Sequence, residues 1–388
     1  MKISTDRILT THAGSLPRNG TLTELLIRKQ AGETADAAEL EAEVEKAVFA
    51  VVRNQADAGI DVINDGEQSR PGFQTYVVER MSGFSGESKR PLSTDYLKFP
   101  AYARLWQNRF PRRGKSHNAP QATGPIRYQS LEAATADCER LSRAVERVHH
   151  VETFMTAPSP GIIATTMLNA YYESHERYVF ALAAEIRKEY QLIHSRGFVL
   201  QIDAPDIAME RTGLFQDKSD TEFLGIAEMH IAALNDAIAG LPRDRVRLHC
   251  CWGCREGPHV DDVPLRLVLP VLYGAHVGAL NLEFANPRHQ HEYATLANSP
   301  LPPEMILVPG VIDQTTNYVE HPQVVANRIF EAVAAVGDRE RVIAGVDCGF
   351  NTFAGYDQVA EDVVWAKLKS GREGADLASA RLWGHASS

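Results

Sequence analysis

Val246-Arg-Leu-His-Cys-Cys-Trp-Gly-Cys254 drives an apolar, β-branched run into one imidazole and three thiols. Read as a strand ending in a turn, it delivers His249 and Cys251 to one side, because side chains two apart on a strand share a face. Cys250 then points the other way, and Gly253 lets the chain turn. An imidazole and a thiolate presented together suit a soft, tetrahedral zinc ion. Two more ligands must come from elsewhere, and two other apolar runs end in suitable groups: Leu280-Asn-Leu-Glu283 and Val342-Ile-Ala-Gly-Val-Asp-Cys348. The expected set is His249, Cys251 and Cys348, with Glu283 as the fourth, displaceable group. Zinc with thiolate ligands binds a substrate thiol and lowers its pKa, giving a thiolate nucleophile at neutral pH. The same cluster allows another use. Cys251 and Cys254 have the spacing of a zinc knuckle or a redox pair, and Cys250 and Cys254 compete as ligands. No second Cys-x-x-Cys exists, which argues against a closed four-cysteine site.

Carboxylates end further runs of the same kind. Ile60-Asp-Val-Ile-Asn-Asp-Gly-Glu67, Phe198-Val-Leu-Gln-Ile-Asp203 and Met305-Ile-Leu-Val-Pro-Gly-Val-Ile-Asp313 each read as a strand with an acid at its end. Glu67 and Asp203 make a pair that holds an ammonium group or transfers a proton; the bland use of each is helix capping or pairing with Arg70 or Arg18. Ser15 and Arg18 sit in the polar loop after the run beginning at Ile8 and extend the candidate substrate site. His289 and His291 lie near Glu283 and read as a solvated helix start or a supporting layer.

The elements that position these groups alternate. Apolar residues recur at helical spacing from Asp36 to Ala58, with Gly59 as the stop. Helices are expected at 131–148, 173–196, 221–239, 322–336 and 359–368, with one at 264–273 that Pro270 ends or kinks. Strands fall between them, at 125–129, 151–157 and 198–203 as well as at the runs above. Alternation of strands with long helices predicts a parallel sheet of eight or nine strands, best met by a single (β/α)8 TIM barrel over 1–388. In such a barrel the strand C-terminal ends converge on one face, where active sites form. A doubly wound sheet is the competitor, but it wants a glycine-rich phosphate loop that the chain lacks. Residues 81–124 show no periodicity and carry Tyr96, Phe99, Tyr102 and Trp106; they read as an inserted excursion, a lid or an oligomer contact.

The totals exclude several classes. The 388 residues are 44% hydrophobic and 23% charged, with net charge −10, which disfavours nucleic acid and anionic membranes as partners. No apolar run approaches ~18 residues and no charged-then-apolar leader is present, so a cytoplasmic protein is expected. Five cysteines, three of them clustered, fit reduced thiols. The expected partners are a small-molecule thiol and an alkyl donor, with a homo-oligomer possible.

The ordered motifs resemble the catalytic barrel of the cobalamin-independent methionine synthase family, from about residue 7 to 356. The resemblance rests on Thr10-Thr-His-Ala-Gly-Ser-Leu-Pro17, Asp65-Gly-Glu67, Gln201-Ile-Asp203, His249-x-Cys251, Glu283, Val308-Pro-Gly-Val-Ile-Asp313 and Asp347-Cys-Gly349. It implies catalytic zinc on His249, Cys251, Glu283 and Cys348, contact of Ser15, Glu67 and Asp203 with the amino-acid part of homocysteine, and methyl transfer in methionine biosynthesis. Single-barrel relatives that open epoxides with coenzyme M, the epoxyalkane:coenzyme M transferases or 2-hydroxypropyl-coenzyme M lyases, share the His-x-Cys and Cys ligands. Arg18, Arg70, Arg255 and Arg288 are candidates for an anionic tail on such a thiol. The chain departs from the family pattern at Ala204, where a glutamate is usual, at Phe284-Ala-Asn286 in place of Thr-Ser, and in lacking a donor-facing Trp within Thr165–Tyr171. The donor is therefore open. A non-catalytic zinc-storage or redox-sensing barrel using Cys250, Cys251 and Cys254 is the reading from another class.

Overall fold

The computed structural model describes residues 1–33, 36–109, 119–253 and 255–384. Its strands are β1 (Val62–Ile63), β2 (Met81–Ser85), β3 (Gln121–Tyr128), β4 (Glu152–Pro158), β5 (Val199–Asp203), β6 (Val246–Cys250), β7 (Ala279–Leu282), β8 (Ile306–Ile312) and β9 (Gly345–Val346). Seven of them form one sheet in the order β1-β4-β5-β6-β7-β8-β9, every neighbouring pair parallel. Residues 9–11 join its two edges. The Thr11 and Ala344 amides exchange bonds with Ala344 and Leu9 carbonyls at 2.8 Å each, and the Thr10 carbonyl accepts from Asp61 and Val62 amides at 3.1 and 3.0 Å. The expected N-terminal strand is thus only a bridge, Thr10 to Ala344, yet it is the eighth stave that closes a (β/α)8 barrel. An open doubly wound sheet has no such closure.

The helices are α1 (Gly20–Gln30), α2 (Ala37–Asp57), α3 (Val77–Arg80), α4 (Thr94–Lys98), α5 (Pro100–Arg109), α6 (Glu132–Val145), α7 (Pro160–Thr166), α8 (His175–Ser195), α9 (Asp220–Ala237), α10 (Leu265–Tyr273), α11 (Tyr293–Asn298), α12 (Pro322–Val336) and α13 (Glu361–Trp383). α2 buries Val44, Ala47, Val48, Val51 and Val52, the stripe its spacing demands. Ser219 starts α9 with reciprocal bonds to Glu222, which satisfy two otherwise orphaned amides. Inside the barrel, Val62, Phe154 and Val199 pack with Met1 at the bottom. Among the described residues no helix is long and apolar enough to cross a membrane.

Four segments fold differently from expectation. The strand near 125–129 is not a barrel stave: β3 starts at Gln121 and pairs antiparallel with β2, so the described parts of the 81–124 excursion form a structured arm that returns only at Tyr128, while its residues 110–118 lie outside the described residues. Its glycines and prolines masked the pattern, and Gly83 is needed where a Cβ would lie 2.7 Å from the Pro125 carbonyl. No helix is expected between 151–157 and 173–196, but β4 is followed at once by α7, with Ser159 Oγ accepting from the Ile162 amide. Pro270 neither ends nor shortens α10, which runs on to Tyr273. The last helix extends to Trp383, fifteen residues beyond expectation, because Gly374 lets it press on α12, where a Cβ would meet Val325 at 2.4 Å. The arm's helices α4 and α5 lean over the barrel mouth and dock on the loop after β6. Arg255 pairs with Asp95 at 2.8 Å, Lys98 with Asp261 at 2.6 Å, and the Tyr102 hydroxyl donates to the Glu256 carbonyl at 2.8 Å.

Candidate active site at the barrel mouth

Register brings the first groups together. Asp203 at the end of β5 pairs with His249 near the end of β6, and Cys348 lies just past β9 across the mouth. His249 Nε2 is 3.3 Å from Cys348 Sγ, which is 3.6 Å from Cys251 Sγ. The three ligand atoms lie within 4.8 Å of one another, all on buried residues. Zinc bonded at about 2.3 Å to sulfur and 2.0–2.1 Å to nitrogen sets tetrahedral edges of about 3.6–3.8 Å. The donor set and its spacing fit that ion. Cys250 faces the core, where burial pushes its thiol well above its ordinary pKa. Cys254 lies outside the described residues, and none of the described cysteines is in a disulfide.

Glu283 stands outside that three-residue cluster. Its Oε1 accepts from the Trp252 amide at 3.0 Å and its Oε2 from Asn286 Nδ2 at 2.8 Å. Burial, and next the negative charge of Cys251, push its carboxyl well above the usual carboxylate range. Asp347 ties this loop to the Cys348 strand. Its carboxylate accepts from the amides of Phe284, Ala285 and Asn286, each at 2.8 Å. Burial and Asp313 still push it up to about 6. Gly310 makes room, since a Cβ there would meet Asp347 Oδ1 at 1.8 Å.

Ser15, Glu67 and Asp203 line the same small cavity as His249, Cys251 and Cys348. Glu67 holds φ of 58°, a left-handed conformation rare for a residue with a side chain. The turn is fixed by Asp65 Oδ1, which accepts from the Glu67 amide at 3.0 Å, and by Arg18 Nη2, which donates to its carbonyl at 2.6 Å. Thr156 Oγ1 donates to Glu67 Oε1 at 2.9 Å and accepts from Arg70 at 2.9 Å. Gly14 passes so close that a Cβ would lie 2.7 Å from Glu67 Oε1. Glu67 Oε2 and Ser15 Oγ are buried with no hydrogen-bond partner. Gln201 donates to Asp203 Oδ1 at 2.7 Å and is itself fixed by Arg247 at 2.7 Å. Burial raises both carboxyls; Glu67 raises Asp203 further, while Arg70 and Arg18 oppose the rise at Glu67. Two acids that resist full ionisation side by side are satisfied by a shared proton or an incoming cation.

The other expected residues are placed apart. Arg18 lies behind Glu67, bonded also to the Asn351 carbonyl at 2.7 Å, and does not line the cavity. Asp313 accepts from the Thr315 amide and hydroxyl at 2.7 Å each. It lines a different cleft of about 160 Å³, with Glu283, Arg288 and His289. His291 is exposed, whereas His289 is buried against Trp252 with ring centroids 4.2 Å apart. It bridges Glu292 and Asp262 at 2.8 and 3.1 Å. Arg247 and Asp347 went unrecognised as supports, and Arg70, expected to pair with an acid, reaches Glu67 through Thr156; each follows or flanks a strand-end motif, but nothing in composition says which side chain it will hold.

Above Cys251 opens a larger cavity of about 550 Å³, walled by barrel loops and by the arm. Cys251, Phe73, Pro205 and Thr352 line both cavities, so the two adjoin along these residues.

The family described as cobalamin-independent synthase, catalytic domain, matches residues 8–93 and 116–367. A methionine synthase of Sulfolobus acidocaldarius is 29% identical over 257 residues, which span 66% of this chain and 65% of that protein. A 2-hydroxypropyl-CoM lyase of Xanthobacter autotrophicus is 25% identical over 87% of this chain and 86% of its own. The solved B12-independent methionine synthase from Shewanella sp. W3-18-1 superposes with TM-score 0.71 at 21% identity, over 97% of this chain and 99% of that one, and shares the fold. With its strand-end motifs at the mouth of a barrel of that fold, the chain belongs to the cobalamin-independent methionine synthase catalytic-domain family.

Proposed function

We propose that the chain is a zinc-dependent thiol S-alkyltransferase, in the first instance a methyltransferase acting on a small amino-acid thiol such as homocysteine. One observation carries the reading: His249, Cys251 and Cys348 converge beside a buried Glu67–Asp203 pair with unsatisfied oxygen on Glu67 and Ser15. His249, Cys251 and Cys348 would hold zinc, with Glu283, buried beside Cys251, as the fourth and displaceable group. Zinc so bound would lower the pKa of a substrate thiol and keep it a thiolate at neutral pH. Glu67 and Asp203 receive the substrate ammonium, whose charge relieves their mutual repulsion, and Ser15 Oγ donates to its polar end. Arg18 positions Glu67 through the backbone, and Asp313 braces the turn after β8 through Thr315. Helices α4 and α5 of the arm cover the second substrate and exclude water. In the alkylation the thiol sulfur bonds to the alkyl carbon, the leaving group departs with its electron pair, and the thiol proton passes to solvent.

The 2-hydroxypropyl-CoM lyase relative supports a second reading, thiol addition to an epoxide or its reversal. Zinc-loaded protein assayed with homocysteine and methyl donors, and in parallel with coenzyme M and epoxypropane, separates them. Enzyme-dependent thioether in the first pair is the expected result. Product only in the second transfers the chain to the epoxide reaction, and none in either, with zinc lost on oxidation, leaves a redox-sensing barrel.

A further inference from the structure

The arm's aromatic rings do not belong to the main core. Trp106 and Tyr356 are buried in a separate cluster with Tyr96, Tyr102 and Phe353. Tyr96 stacks on Tyr102 at 5.8 Å, Tyr102 meets Trp106 at 5.9 Å, and Trp106 stands edge-on to Tyr356 at 5.9 Å. From this cluster Tyr96, Trp106, Phe353 and Tyr356, joined by Phe73, face the 550 Å³ cavity whose floor includes Cys251. A cavity of that size, walled by rings, takes a compact organic molecule.

The charges on the wall narrow the class. Arg255 is committed to Asp95 at 2.8 Å and Arg90 to Glu210 at 2.6 Å, so each of these half-buried cations is neutralised. Glu87 and Lys89 are exposed. The wall therefore has no surplus buried charge for an anionic tail. Among the described lining residues, Ser93 Oγ and Arg255 Nε are buried without a hydrogen-bond partner, two donors for an acceptor on a ligand ring. Residues 94–115, which carry α4 and α5, fall between the two stretches matched by the family.

We propose that the inserted α4–α5 arm makes this chain selective for an alkyl donor whose leaving group is a compact, uncharged-bodied aromatic ring, with Trp106 as the main specificity residue. The proposal rests on the alkyl-transfer reading above and adds the donor class. In the step, the thiol sulfur bonds to the alkyl carbon, the bond from that carbon to an oxygen of the aromatic leaving group breaks with its electron pair going to that oxygen, and the thiol proton passes to solvent.

The test uses methyl 4-nitrobenzenesulfonate and methyl methanesulfonate as donors to homocysteine, each rate divided by the uncatalysed rate. The zinc-loaded protein is expected to accelerate the aromatic donor at least tenfold more than the small one. Trp106→Ala brings that preference to within about threefold of unity, and Trp106→Phe restores most of it, because ring contact supplies the discrimination. Equilibrium dialysis with 4-nitroanisole gives an independent readout: saturable binding that Trp106→Ala weakens about tenfold, with or without zinc. Equal acceleration of both donors, unchanged in Trp106→Ala, overturns the proposal and leaves the alkyl-transfer reading intact. Acceleration of neither overturns that reading, and dialysis then decides the chamber alone: 4-nitroanisole bound in a Trp106-dependent way supports an aromatic occupant, and no binding refutes it.

Discussion

Replacing Cys348 by alanine separates a site assembled across the barrel from one built on the 249–254 cluster. Cys348 Sγ is 3.3 Å from His249 Nε2 and 3.6 Å from Cys251 Sγ, yet it lies 97 residues from Cys251 in the chain. Structural zinc sites bind with an apparent free energy of about 10–16 kcal/mol shared among four ligands, so one ligand accounts for about 3–4 kcal/mol, or roughly 100- to 1,000-fold in affinity. The fold should survive, because the lost sulfur faces the cavity and Asp347 still ties the adjoining loop through three amides at 2.8 Å. Zinc measured by elemental analysis, and affinity measured by competition against a chromophoric chelator, should show about one zinc in the parent and a 100-fold or greater loss in Cys348→Ala. Cys250→Ala is the control, since that thiol faces the core; it should keep its zinc while losing about 1 kcal/mol of stability to the cavity left. Equal zinc affinity in Cys348→Ala and parent would refute the assembled site and put the metal on the 249–254 cluster alone.

Two further predictions concern buried charge. Arg80 pairs with Asp137 at 2.5 Å and Glu189 at 3.0 Å, all three buried, so Arg80→Met leaves Glu189 with tyrosine hydroxyls but no ion-pair partner and Asp137 with Arg140 alone, and should cost about 3–5 kcal/mol in urea unfolding. Burial alone would raise both acids, but Arg80 and Arg70 outweigh it and hold them below their usual range. That stabilisation is present above about pH 4 and is lost as pH falls through the depressed native values, so the parent–variant gap should close in acid; identical urea midpoints at neutral pH would rule out the ion network. Burial lowers His289, but its bonds to Asp262 and Glu292 prevail and raise it to about 10. The stabilisation is therefore full below about pH 6.5 and fades as pH rises through 10. NMR of the zinc-free protein should find the ring charged at pH 8, and a midpoint near 6.5 would contradict the bridge.

The sequence by itself determined what lies within single elements. The period-two placement of His249 and Cys251, the acids closing apolar runs and the helical stripe of Val44–Val52 follow from side-chain direction along a strand or helix, which needs no partner. Alternation of those elements was enough to name the (β/α)8 class. Tertiary structure decided which strand ends meet. The barrel closes only because residues 9–11 bond both Ala344, just before β9, and Asp61 and Val62 at the start of β1, and that closure sets Ser15 and Glu67 beside Asp203. It also turned Arg18 behind Glu67, put Asp313 in a neighbouring cleft and gave Asp347, Arg70 and Arg247 their supporting roles. The arm stayed illegible because its order comes from contacts with the loop after β6, made across about 150 positions by Asp95, Lys98 and Tyr102. Local periodicity reports how one element buries its own face; the partner of a buried charge or ring is chosen by register and closure.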